Sequence, residues 1–233
     1  MSSLGARSTE AERMDTDCAD YEDYARCLRD LARVNRTTRT YAPTIGWLDA
    51  QPFAAGSALS VLDVAFGHGD MLRRIAAWAA ARELRATLVG IDRNPWAARV
   101  ASAATPDGTI RYETGDIFAT NPARHFDYIV SAQFTHHLSE DEIVRFIRWM
   151  EGAARKGWFI SDLHRHWFPY YGFPLLARAA FWHRFVRTDG QISIARGFRP
   201  EEWRILVERA GVDPAAVEIA ERVPFRLCVG RTR

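Results

Sequence analysis

Lysine is nearly absent: of the 31 basic residues only Lys156 is one, and the rest are arginines. With the many alanines, that bias reads as GC-rich coding rather than a functional choice. Cysteine is scarce. Cys18, Cys27 and Cys228 are odd in number and lack metal-ligand spacing, so the chain is not a disulfide scaffold, and reduced thiols in the cytosol are the simplest account. No metal is expected. An excess of either charge is missing as well: a net +2 gives no large electrostatic drive toward nucleic acid. No apolar run reaches the ~20 residues that span a bilayer. The first fifteen residues carry Arg7, Glu10, Glu12 and Arg13 with no apolar stretch, so no signal peptide is read. What remains is a cytoplasmic protein whose partner is a small molecule, neither nucleic acid nor membrane.

What is present begins at residues 59–70. An apolar run over 59–64 ends in the turn Ala65-Phe-Gly-His-Gly69, and a helical pattern over 71–82 follows at once. That order puts Gly67 and Gly69 at the carboxyl end of a buried strand, where open α/β sheets bind nucleotide-like ligands. Glycine there lets the backbone approach a ligand, because no Cβ intervenes. A second strand pattern over 86–91 ends in Asp92, placed to accept from two ribose hydroxyls. A dinucleotide fingerprint needs a third glycine where this chain has Leu72, so that reading fails.

The stretch Asp63-x-Ala65-x-Gly67-x-Gly69 resembles the acidic-x-Gly-x-Gly-x-Gly motif of class I S-adenosylmethionine-dependent methyltransferases, with alanine at one glycine position. The resemblance covers roughly residue 40 to the C-terminus. It implies a doubly wound α/β fold, Rossmann-like, with a seven-stranded, mostly parallel sheet closed by a hairpin over 217–222 and 225–229. It implies S-adenosyl-L-methionine as cofactor. In that family an acid after the third strand binds the adenine amino group and the next apolar residue packs on the ring, which fits Asp116 and Ile117. The cofactor set is then Asp63, Ala65, Gly67, Gly69, Asp92, Arg93, Asp116, Ile117 and Gln133, the last at the end of a fourth strand pattern over 125–133. His68, inside the turn, is either a contact to the methionyl part or exposed.

Three regions flank this core: a polar, disordered tail over 1–18, a helical cap over 19–58, and a methyltransferase core over 59–233 with a helical lid insertion at about 165–198. In the cap, Asn35, Arg36 and Tyr41 either face the site or, the favoured reading, cap and solvate helix ends. In the lid, 174–186 is helical and Asp189-Gly190 signals a turn. The aromatic crowding of the lid suits a planar or greasy acceptor, an aromatic or polyketide-like hydroxyl.

Methyl transfer needs the acceptor held in place and often deprotonated, and histidine titrates in the right range. The candidate bases are His136 and His137, in a segment resembling the His-His-Leu of ubiquinone-biosynthesis-type methyltransferases, and His164, at the end of the fifth strand pattern. Asp162, His166, Tyr170, Tyr171 and His183 are the candidate substrate contacts. Ser139 with Glu142 reads as a capping box. Competing readings are a methyltransferase acting on RNA or protein, a non-catalytic cofactor-binding protein, and a dehydrogenase. The first lacks the Asn/Asp-Pro-Pro-aromatic segment of amino-directed nucleic-acid enzymes, Ser131-Ala-Gln-Phe134 standing there instead.

Overall fold

In the computed structural model, residues 4–18, 20–105, 107–119 and 126–233 are described. His125 and the end of the expected unit 109–124 lie outside them. The chain opens with three helices, α1 (Arg13–Thr16), α2 (Tyr21–Thr37) and α3 (Ala42–Asp49). Asp20 caps α2 by accepting from the Asp23 amide, and Pro43 sits in the first turn of α3, where a missing N–H costs nothing.

Four strands follow, three of them each leading into a helix: β1 (Ala58–Val64) with α4 (Asp70–Ala81), β2 (Arg85–Asp92) with α5 (Pro95–Ala103), β3 (Ile110–Thr114), and β4 (Phe126–Ala132) with α6 (Glu140–Ala153). Next come β5 (Ala154–Leu163), α7 (Trp167–Ala179), α8 (Arg184–Arg196), α9 (Pro200–Arg209), β6 (Glu218–Arg222) and β7 (Arg226–Thr232). The strands form one seven-stranded sheet in the order β3-β2-β1-β4-β5-β7-β6. β1 to β5 pair in parallel, and β7 runs antiparallel to both β5 and β6.

The residue choice explains the layering. Val61 to Val64 are all buried, as a parallel strand covered on both faces requires. On one face Ile143, Ile147 and Met150 of α6 and Trp203 and Leu206 of α9 close over the sheet. On the other, Leu48 of α3, Leu72 and Ile75 of α4 and Val100 of α5 do so. Leu72 is fully buried in that second layer, which is why the third fingerprint glycine is missing. Ser139 and Glu142 form the expected capping box at α6.

Two features differ from the sequence reading. Residues 4–18, expected as a disordered tail, lie strapped across the lid and the end of β4. Arg165 Nε and Arg199 Nη2 donate to the Leu4 carbonyl at 3.1 and 2.9 Å, and the Ser8 amide donates to the Ala195 carbonyl at 3.0 Å. Arg7 donates to the carbonyls of Arg196, His136 and Leu138 and lies over the Phe198 ring. Partners far away in sequence satisfy the strap, so its local composition carries no sign of order. Second, Asp189-Gly190 is not a turn but lies inside α8. A Cβ on Gly190 would stand 2.0 Å from Phe173 Cε1, so the glycine is there to let α7 and α8 pack closely. The turn between the lid helices falls instead at residues 180–183, within the stretch expected to be helical.

Candidate functional site

β1 lies between β2 and β4, so the strand order reverses there, and the crevice at those carboxyl ends is the expected ligand position. The backbone is unusual at that point. Ala65, after β1, and Gln133, after β4, are non-glycine residues at φ of +61° and +53°, and Gly67 and Gly69 follow at +52° and +72°. Left-handed backbone in non-glycine residues persists where surroundings enforce it, and it clusters at functional sites. A Cβ on Gly67 would meet only Leu28 Cδ2, at 3.7 Å, whereas one on Gly69 would strike the Tyr112 hydroxyl at 2.5 Å. Gly67 is therefore the glycine facing open space, and Gly69 makes room for Tyr112.

Asp92 closes β2. Its Oδ2 accepts from the Gly67 amide at 3.0 Å and its Oδ1 from the Asn94 amide at 2.9 Å. Each oxygen keeps a second lone pair for an incoming hydroxyl. Asp116 Oδ1 accepts from the Phe118 amide at 2.9 Å, Arg93 Nε stands 3.7 Å from Asp116 Oδ2, and Ile117 is buried beside them. Asp63 is wholly buried, and burial together with the charges of Asp70 and Asp92 holds its carboxyl well above the usual range. Three acids thus crowd the glycine turn, a field that a cationic ligand relieves. His68 is held by Arg73, which donates to its carbonyl at 2.9 Å and lies 2.7 Å from its Nδ1.

The helical cap is tied to this turn. Asp70, the first residue of α4, accepts from Tyr41 Oη at 2.5 Å and Asn35 Nδ2 at 3.0 Å, and Asn35 Oδ1 accepts from Gln133 Nε2. Asn35 and Tyr41, read from sequence as helix-end residues, thus connect the cap to the ends of β1 and β4.

The histidines separate sharply. His136 is buried, with Nδ1 2.7 Å from Asp162 Oδ1 and Nε2 3.3 Å from Glu12 Oε1. Burial opposes its charge, but the Asp162 carboxylate and the hydrogen bonds to Asp162 and Glu12 outweigh it and push His136 up to about 10. Burial likewise opposes ionisation of Glu12, yet His136 draws it down to about 2. Asp162 is saturated: it also accepts from Thr135 Oγ1 at 2.5 Å, the His136 amide at 2.9 Å and the Leu163 amide at 2.7 Å. With Nδ1 and Nε2 both facing carboxylates, His136 offers no ring nitrogen to a substrate. His137 faces the strap, 3.3 Å from Asp15 and 3.8 Å from Glu12.

His164, at the other end of the series, lines a cavity of about 410 Å³ between the lid, the cap and the ends of β4 and β5. Burial lowers its affinity for a proton, the Glu221 carboxylate 3.8 Å away opposing in part. The wall is mainly apolar, with Leu31, Val34, Phe168, Phe173 and Phe185 prominent, and includes Gln133, whose side chain reaches Asp70 through Asn35. Of the expected substrate contacts, none of Asp162, His166, Tyr170, Tyr171 and His183 lines this cavity. Asp162 lies behind His136. His166 caps α7 and stacks on Phe225, while His183 caps α8 and meets Asp23 at 3.0 Å. Tyr170 and Tyr171 pack edge to face on α7. The cavity takes Glu12, Cys27 and Asp189 instead, residues for which the sequence offers no local signal.

Residues 61–157 match a family model described as a methyltransferase domain. No curated protein matches the chain. Among solved structures, a candidate O-methyltransferase from Nostoc punctiforme superposes with TM-score 0.66 at 12% identity over 99% of this chain. This chain spans only 65% of that protein's length. Magnesium protoporphyrin IX methyltransferase from Synechocystis, solved with S-adenosylmethionine, gives TM-score 0.59 at 14% identity, covering 97% of this chain and 99% of that one. Human N-acetylserotonin methyltransferase, also solved with S-adenosylmethionine, gives 0.62 at 12%, covering 92% and 56%. The strand order and the glycine turn agree with the methyltransferase-domain match over residues 61–157 and with the fold of these methyltransferases.

Proposed function

We propose that the protein methylates a hydroxyl of a small aromatic or polyketide-like molecule, with His164 as general base. The observation that carries this reading is the cavity: mainly apolar, lined by the lid helices, and with Gln133, the residue after β4, in its wall. Such a space suits a planar, greasy acceptor. The cofactor residues fit their assigned group: Asp92 has free lone pairs for a ribose, Asp116 and Ile117 suit an adenine, and the crowded acids around Asp63 favour a ligand bearing positive charge. S-adenosylmethionine, when bound, supplies an electrophilic methyl group.

The chain's own residues then do three things. The apolar wall excludes water and orients the ring. Gln133, fixed in its strained backbone by the Ser161 carbonyl, which its amide meets at 2.9 Å, spaces the acceptor from the turn. His164, kept neutral by its burial, accepts the hydroxyl proton on its free ring nitrogen as the oxygen becomes the nucleophile.

Turnover of a panel of phenols by wild type and His164→Gln tests this reading. We expect the variant to lose about 10²–10⁴ in kcat with S-adenosylhomocysteine affinity unchanged. Because burial depresses the His164 pKa, the acid limb of kcat/KM should lie below pH 6.5, activity falling as the imidazole protonates. Turnover of tRNA or protein without any phenol, or a variant within a few-fold of wild type, contradicts it.

A further inference from the structure

Methyl transfer leaves one cluster unused, at the seam between the strap and the end of β4. His136 and His137 follow one another on the turn 135–137, their rings 4.3 Å apart. Each gives Nδ1 to an acid: His136 to Asp162 at 2.7 Å, His137 to Asp15 at 3.3 Å. Each then aims Nε2 at the same third carboxylate, Glu12, at 3.3 and 3.8 Å. A carboxylate holding Nδ1–H and leaving Nε2 to bind is how proteins orient metal-ligating histidines. Here that arrangement occurs twice, converging on one spot.

Both histidine–glutamate distances suit a shared ion. Ligands about 2.1 Å from one metal stand no more than about 4.2 Å apart, and both nitrogen–oxygen separations fall inside that limit. Donor atoms of all three residues lie within 4.8 Å of one another. Asp162, with its hydrogen-bonding capacity filled by Thr135, His136 and Leu163, serves as orienter and not as ligand.

We propose that Glu12, His136 and His137 bind one divalent first-row transition-metal ion, zinc being the type ion. Imidazole nitrogen suits zinc, copper, iron and nickel. A two-histidine, one-glutamate set leaves a coordination position open. Glu12 also lines the cavity, so the cluster adjoins it. Binding displaces the proton from His136 Nε2 to solvent and pins the strap to β4. The scarcity and spacing of cysteine gave no hint of this site, because its ligands are histidines and an acid from a segment without its own fold.

The test uses the full-length chain without an affinity tag, stripped with chelator and dialysed against Zn²⁺ or Co²⁺. We expect one ion per chain by elemental analysis, a visible cobalt absorption band, and a Tm that rises with Zn²⁺ by mass action. His137→Asn and Glu12→Gln should lose all three signals, and His183→Gln, outside the cluster, should keep them. The His137 side chain is only half-buried, so His137→Asn stays folded, as circular dichroism would record, and decides the matter even if Glu12→Gln unfolds. Wild type binding no stoichiometric ion, or a folded His137→Asn that retains it, overturns the proposal.

Discussion

Ala65 stands at φ +61°, a conformation that costs an L-residue about 1–2 kcal/mol. Its amide donates to the Ile91 carbonyl at 2.8 Å, so the turn holds it there despite the strain. Glycine relieves that strain but loses about 0.5–1 kcal/mol to the unfolded chain's entropy. Ala65→Gly is therefore expected to be neutral or to stabilise by up to about 1 kcal/mol, leaving S-adenosylhomocysteine affinity intact. Urea denaturation measures it, and a loss above about 1 kcal/mol would show that the Ala65 methyl group packs usefully. At this scale the sequence was legible where roles are local. The positions of Gly67 and Asp92, just past β1 and at the end of β2, could be read from spacing alone. The histidines could not be ranked, because protonation depends on Asp162 and Glu12, which come from distant parts of the chain.

The lid shows the same division among elements. Pro43 and Pro200 begin α3 and α9, and Ser139 caps α6, each through chemistry within a few residues. Gly190 misleads because its reason is a neighbour, Phe173 on α7, and not its own backbone. Gly190→Ala drives a methyl into that ring and should destabilise by about 1–3 kcal/mol, as overpacked sites do, lowering Tm by a few degrees. Because Phe173 lines the cavity, KM for the acceptor should rise while cofactor affinity holds. A thermal melt with S-adenosylhomocysteine titration checks both, and an unchanged Tm means the helices shift freely. The strap is the element that local patterning misses altogether. Its order comes from Arg165, Arg196 and Arg199 reaching back more than a hundred residues.

For the whole molecule, alternating strand and helix patterns foretell the parallel sheet, because each unit's periodicity is set by the layers that bury it, whereas the terminal hairpin was expected from the family resemblance. The cavity is not foretold, since cap, strap, lid and two strand ends meet only in the folded chain. On the proposed function, Asp92 holds S-adenosylmethionine in the crevice beside the glycine turn. Removing a carboxylate that accepts charge-assisted hydrogen bonds costs about 1.5–3 kcal/mol, which is more than tenfold in affinity. Calorimetric titration of S-adenosylhomocysteine into wild type and Asp92→Ala is the most direct measurement. The account predicts one site per chain in wild type and binding weakened by more than tenfold in a folded variant. Equal affinity in the two proteins, or no binding by wild type, would contradict it.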